Sequence, residues 1–482
     1  MVAPKRVCIF VANNCTVDSR ILRQAETFAR AGHETIIVAV LVGDVEALEK
    51  RGGFEIRRVN AKHSWSEGYP RASKVLSPVR ARIAKRNGDN PAPQPVLPRR
   101  NGPRIPARQW LRWIRTGKEP APRSWPAAES STMDRAAFAA SMPLQKAGRV
   151  ARAQRRRWGR RVGRFGRRRI LRPTRYRQIE RRMARAAIEF RADLYWANDV
   201  QTLRPAAAAA RATGGRVVYD AHEVVWDVPT VSWFRQRVWA LIERTQIPKM
   251  DRVYTVCDPI ADLMASRYRI SRPTVIINAP RLESTSAAPA HEDSPLNAYR
   301  KPGERIVLFH GYLAPWRGIE QLIAATALLP QEYRLVILGH GVFRATLEEL
   351  AHRSRLDDRV TFIASVPPAE LPSWVIGADV GTIPIQNRGR SFQYTTPNKL
   401  FECLHVGLPI VVNDLPEIRK VVNEVDFGIV TDCSDPAAIA KAIEDLLSDP
   451  DRYQQMRLRA RAAAPRYSWE RGEEAILSAL EK

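Results

Sequence analysis

Short apolar runs alternate with helix-length segments along most of this chain, and that alternation restricts its fold more than any other feature. Residues 7–12, 35–41, 193–197, 216–219, 252–256 and 274–277 in the first part have the length and β-branched content of buried strands. Residues 305–309, 334–338, 360–363, 380–383, 410–412 and 428–430 repeat the pattern in the second part. Between them, apolar residues fall at helical spacing, as Ile21, Leu22, Ala25, Phe28 and Ala29 do behind a capping Asp18. Strands joined through helices run parallel, because a helix is the usual crossover between parallel neighbours. Two such series predict an α/β fold of two doubly wound parallel sheets facing across a cleft, with loops gathered at the C-terminal strand ends.

Charge divides the chain as clearly as periodicity does. The net charge is +28, and residues 61–191 hold 35 Lys and Arg against 7 Asp and Glu, so this block alone accounts for the excess. Residues 61–143 also carry 12 of the 35 prolines and little periodicity, with one expected short helix near 108–115. Residues 144–191 are helix-prone and contain the arginine runs 155–157 and 167–169. The resulting division is an N-terminal domain of 1–60 plus 192–280, the basic insertion 61–191, a polar linker at 281–303, a C-terminal domain at 304–465, and a final helix at 466–482 packing back on the N-terminal domain. No apolar run is long enough to span a membrane, and the run at 7–12 is expected to be a first strand rather than a signal peptide. Cys8, Cys15, Cys257, Cys403 and Cys433 are scattered without metal-ligand spacing, which suits reduced thiols and a cytoplasmic protein.

The stretch 394–412 holds the densest chemistry. Thr395 and Thr396 are expected to cap a short helix, with Pro397 in its first turn and an apolar face of Leu400, Phe401 and Leu404. Gly407 ends the helix before a buried strand at 410–412. A helix N-terminus at Thr395–Asn398 with Lys399 beside it suits a phosphate, and Glu402 can accept hydrogen bonds from ribose hydroxyls. The loop 310–318 follows the first strand of its half, where Gly311 and Gly318 permit close backbone approach and Arg317 offers a planar fork for phosphate. Gly341 lies in a Gly-x-Gly turn after the second strand, and Val366 follows the third, where backbone groups can read a base edge.

The spacing G-x-L-x-x-x-R-G, then L-G-x-G, then T-P-N-K-L-F-E-x-L-x-x-G-L-P-I-V-V resembles the retaining family-4 glycosyltransferases of the GT-B fold. Asn13 and Asn14, Asp199 with Thr202, and the run Asp220-Ala-His222-Glu223 resemble acceptor-side motifs of that family. The likeness covers about 6–60 and 193–482 and implies particular roles. Glu402 holds the nucleotide ribose, Arg317 and Lys399 serve catalysis at the diphosphate, and His222 stands near the transferred sugar. Gly311, Gly341, Val366, Tyr394, Thr395 and Asn398 line the donor site, while Asn13, Asn14, Asp199 and Glu223 face the acceptor. Two positions depart from the pattern: Tyr394 stands where a first glutamate often lies, and Tyr312 where an arginine often follows the first glycine.

The resemblance implies transfer, with retention, from a nucleoside diphosphate sugar to a cell-envelope glycan or lipid-linked acceptor. With no Asp-x-Asp motif after a strand, no cofactor and no obligatory metal are expected. A non-catalytic nucleotide-sugar-binding or scaffold protein, favoured by Tyr394, and an epimerase on the same fold are the alternatives. For 61–191 the readings are a solvated segment without a specific partner, an anchor to an anionic membrane surface, and a nucleic-acid-binding segment. Arginines interleaved with Trp110, Trp113, Trp158 and Phe165 favour the membrane, hence a peripheral place at the inner face of the cell membrane. No recognisable nucleic-acid module accompanies the charge.

Overall fold

A computed structural model describes residues 3–60, 176–286 and 290–481. Most of the basic insertion, with the expected helix near 108–115 and the arginine runs 155–157 and 167–169, lies outside the described residues.

The first sheet is built from β1 (Arg6–Phe10), β2 (Glu34–Leu41), β3 (Leu48–Arg51), β4 (Phe54–Asn60), β5 (Leu194–Asn198), β6 (Arg216–Ala221), β7 (Arg252–Thr255) and β8 (Thr274–Val275). Their order is β3-β4-β2-β1-β5-β6-β7-β8. Every pairing is parallel except β3 with β4, an antiparallel hairpin at the edge. Helices α1 (Ser19–Arg30), α2 (176–190), α3 (Leu203–Thr213), α4 (Trp233–Gln246) and α5 (Asp258–Tyr268) lie between the strands. Asp18 caps α1 by accepting the Ile21 N–H, and Ile21, Leu22, Ala25 and Phe28 turn inward as their spacing predicts.

The segment expected as a polar linker is partly packed. It starts with α6 (Leu282–Ser286), and Ser294 and Leu296 beyond it are buried. Arg300 explains why: its guanidinium donates to the Asp379 carboxylate at 2.8 Å and to the Gly377 carbonyl at 2.7 Å.

The second sheet contains β9 (Arg305–His310), β10 (Tyr333–Leu338), β11 (Val360–Ile363), β12 (Val380–Ile383), β13 (Ile410–Asn413) and β14 (Gly428–Thr431), ordered β11-β10-β9-β12-β13-β14 and parallel throughout. Its helices are α7 (Ile319–Thr326), α8 (Arg344–Arg353), α9 (Leu371–Val375), α10 (Gly389–Gln393), α11 (Asn398–Val406), α12 (Pro416–Val425), α13 (Pro436–Leu447) and α14 (Pro450–Ala463). The chain then returns to the first sheet through α15 (Glu470–Leu477). Trp469 is buried in that sheet's core with Ile476, Ala479 and Leu480, and its Nε1 donates to Thr27 Oγ1 at 2.9 Å. The Tyr254 hydroxyl donates to the Ala475 carbonyl at 3.1 Å.

Candidate functional site

The strand order of the second sheet reverses between β9 and β12, and a doubly wound sheet binds ligands at that reversal, beyond the C-terminal strand ends. The loop 311–318 leaves β9 at this point. Gly318 has φ 77° and sits so close to the segment after β12 that a Cβ would lie 2.0 Å from the Pro384 carbonyl oxygen. Only glycine fits there, so Arg317 is held on a fixed turn over the reversal. Gly341 is fixed by close packing between the two loops. A Cβ on it would lie 2.1 Å from the Leu313 carbonyl, so the second loop packs directly on the first.

Lys399, on the first turn of α11, reaches the same loop. Its Nζ lies 3.6 Å from the centre of the Phe309 ring, and a Cβ at Gly311 would stand 3.5 Å from that nitrogen. Burial, helped by the nearby Arg317 charge, lowers the Lys399 pKa to about 7, while Glu402 opposes the shift. One turn along α11, Glu402 Oε2 lies 2.9 Å from His310 Nε2 at the end of β9. Burial would raise this carboxyl, but the His310 hydrogen bond and the Arg23 and Lys399 charges outweigh it and hold its pKa below the usual value. His310 and Arg23 complete the surroundings of Glu402, neither having been assigned a role from the sequence: His310 is 92 positions from Glu402, and Arg23 reaches in from α1.

The first half supplies a second cluster at its own reversal, between β1 and β5. His222 follows β6, with Nδ1 3.2 Å from Asp199 Oδ1 and Nε2 3.4 Å from Asp220 Oδ2. Burial works against the imidazolium, but the two carboxylates win and raise its pKa to about 10. Asp199 has φ 62° and turns to His222, while Thr202 occupies the cap position of α3. Glu223 is pushed up to about 7 by burial and then by Asp199, against the pull of His222 and Arg317. The Arg317 charge acts on both Glu223 and Lys399.

Other expected residues fall elsewhere. Thr395 and Thr396 do not cap α11: Pro397, with extended backbone at ψ 142°, takes that position, and no side chain caps the helix. Asn398 faces the other half, its Oδ1 accepting from Asn278 at 2.5 Å and its amide donating to Ser19 Oγ at 3.2 Å. The Tyr394 carbonyl accepts from Cys257 Sγ at 3.3 Å. Asn13 and Asn14 close their own loop: Asn13 accepts the Cys15 N–H and donates to Asp18, while Asn14 donates to the Val42 carbonyl. Val366 is half-buried against the second core.

The fold, two doubly wound α/β domains, is that of the GT-B class. Two solved structures agree over nearly the whole length: sucrose-phosphate synthase from Thermosynechococcus elongatus, with TM-score 0.62, 15% identity and 98% of each chain covered, and HepE from Anabaena in complex with UDP and glucose, with TM-score 0.62, 14% identity and 99% of each chain covered. Residues 296–463 match the family of glycosyl transferases group 1, and residues 141–280 match glycosyltransferase family 4. Among curated relatives, a D-inositol 3-phosphate glycosyltransferase of Xylanimonas cellulosilytica is 34% identical over 36% of this chain and 41% of its own length. A GDP-mannose-dependent alpha-(1-6)-phosphatidylinositol monomannoside mannosyltransferase of Mycobacterium tuberculosis is 31% identical over 31% of this chain and 40% of its own. The chain thus spans about two fifths of the length of these curated relatives.

Proposed function

We propose that the protein is a glycosyltransferase that takes a sugar from a nucleoside diphosphate sugar and passes it, with retention of configuration, to a glycan or lipid-linked acceptor of the cell envelope. The observation that carries this reading is the placing of Lys399 at the loop 311–318 that bears Arg317, with Glu402 one helical turn away. Lys399 is buried within reach of the Arg317 charge, and a diphosphate bound beside them would favour its ammonium form. Glu402 offers Oε1 to a ribose hydroxyl while Oε2 stays with His310. As the sugar–phosphate bond breaks, the leaving diphosphate gains charge, which the fixed cations stabilise without reorganising. His222 and Glu223 line the acceptor side. The matches to two glycosyltransferase families, on the two halves of the chain, support the same reading.

Thermal shifts with a panel of nucleoside diphosphates and their sugars test it, since a ligand that binds only the folded state raises the melting temperature. At least one is expected to stabilise the native protein and to lose that effect in Glu402→Ala. A panel that leaves the melting temperature unmoved, with no turnover of any donor, rejects the reading.

A further inference from the structure

Helix α4 presents an apolar face that nothing described in the fold covers. Trp233, Phe234, Val238 and Leu241 are 66%, 69%, 38% and 60% exposed, and Arg237 and Arg244 are exposed on the same side of the helix. Large side chains recurring at this spacing normally mark the face turned to a core. In α4 the opposite side is the packed one. Ile242 and Glu243 are buried there, and Glu243 accepts hydrogen bonds from the hydroxyls of Tyr219 on β6, at 2.7 Å, and Tyr268 on α5, at 2.5 Å. Gln236 ties the helix to the loop before it, donating to the carbonyls of Val228 and Val231 at 2.9 Å each. That loop begins at His222 and Glu223. The outward face of α4 is therefore held in fixed relation to the acceptor side of the cleft.

We propose that this face docks on an anionic lipid bilayer. Its chemistry matches that surface: apolar side chains to enter the acyl boundary, and two arginines beside them for lipid phosphates. Arg237 lies 4.9 Å over the Trp233 ring, so the cation and the aromatic group present together. Neither arginine forms an ion pair with a carboxylate among the described residues. A second copy is a poorer occupant, because two-fold pairing of the same face sets these arginines against each other with no acid to neutralise them. The chain's own basic insertion is poorer for the same reason, with 35 Lys and Arg against 7 Asp and Glu. No described helix is long and apolar enough to cross a membrane, so contact through α4 would be peripheral. The inference assigns membrane contact to a helix of the acceptor domain, independently of the insertion.

Co-sedimentation of the full chain with phosphatidylcholine vesicles, with and without about one third phosphatidylglycerol, tests it. The triple variant Trp233→Ser/Phe234→Ser/Leu241→Ser is expected to bind anionic vesicles at least about tenfold more weakly, with an unchanged melting temperature. Should that variant misfold, the pair Arg237→Glu/Arg244→Glu decides, and it is expected to bind anionic vesicles more weakly than the native chain does. Binding equal to that of the native chain in the folded variants assigns the contact elsewhere and overturns the proposal. So does light scattering that shows a native dimer becoming a monomer in the triple variant. Neither readout uses donor or turnover, so failure here leaves the donor site untouched.

Discussion

Arg317→Ala is expected to lower turnover of the nucleotide sugar by about 100- to 1,000-fold, the usual cost of removing a fixed group that meets charge formed in the transition state. The loop that carries Arg317 cannot easily adjust, because Gly318 lies against the Pro384 carbonyl. The guanidinium also stands 5.4 Å from the Phe392 ring, which limits where it can move. Arg317→Lys keeps the charge but not the fork, and is expected to recover only part of the loss. Steady-state kinetics with the donor identified by thermal shift are the measurement, and an unchanged kcat in Arg317→Ala removes this residue from the mechanism. Lys399 adds a pH dependence of known sign. In the free protein its pKa is lowered to about 7 by burial and then by Arg317. A bound diphosphate favours the ammonium and raises that pKa. Donor affinity is therefore full below pH 7 and falls as pH rises through it. Titration calorimetry at two pH values reads the change, and Lys399→Met is expected to flatten it.

Much of this architecture is written locally. The strands of both sheets are buried on two faces, so they appear as continuous apolar runs, and the helices between them show their inner stripe. The edge hairpin of β3 and β4 escaped that logic, since Leu48–Arg51 is largely exposed and has no apolar run to betray it. The donor loops were legible because glycine, arginine and lysine sit at short spacings. The polar contacts that orient them were not. His310 finds Glu402 across 92 positions, and only the pairing of β9 with its neighbours brings α11 over the end of that strand. The capping role assigned to Thr395 and Thr396 failed for a local reason, because Pro397 adopts the extended backbone of a cap itself. The exposed stripe of α4 lies beyond what periodicity can tell, since the pattern marks an apolar face without saying what covers it.

The largest effect on stability is expected from Arg20→Met. Arg20 is 2% exposed and forks onto Asp220, with Nε to Oδ2 at 2.9 Å and Nη2 to Oδ1 at 2.8 Å. Its remaining nitrogen, Nη1, donates to the Ile276 carbonyl at 2.9 Å. One side chain on α1 thus ties together β6 and the segment after β8. Asp220 is fully buried, and its pKa is set by opposing influences: burial would raise it, while Arg20 and His222 hold it well below the carboxylate range. Because the folded-state pKa is depressed, this contribution to stability is present above the unfolded pKa and is lost as pH falls through the folded one. Removing Arg20 leaves a buried carboxylate with Gln24, at 2.6 Å, and His222 beside it. Breaking a buried pair from one side costs about 3–5 kcal/mol, or roughly 10 °C in melting temperature for a domain of this size. Adding Asp220→Asn to Arg20→Met removes the stranded charge, so the double variant is expected to melt above Arg20→Met alone. Were both variants to melt with the native protein, the pair would be no keystone of the first domain. The cost should also reach the acceptor side: Asp220 is one of the two carboxylates that hold His222 charged, so Asp220→Asn is expected to lower the pH at which that imidazolium titrates, as read by NMR.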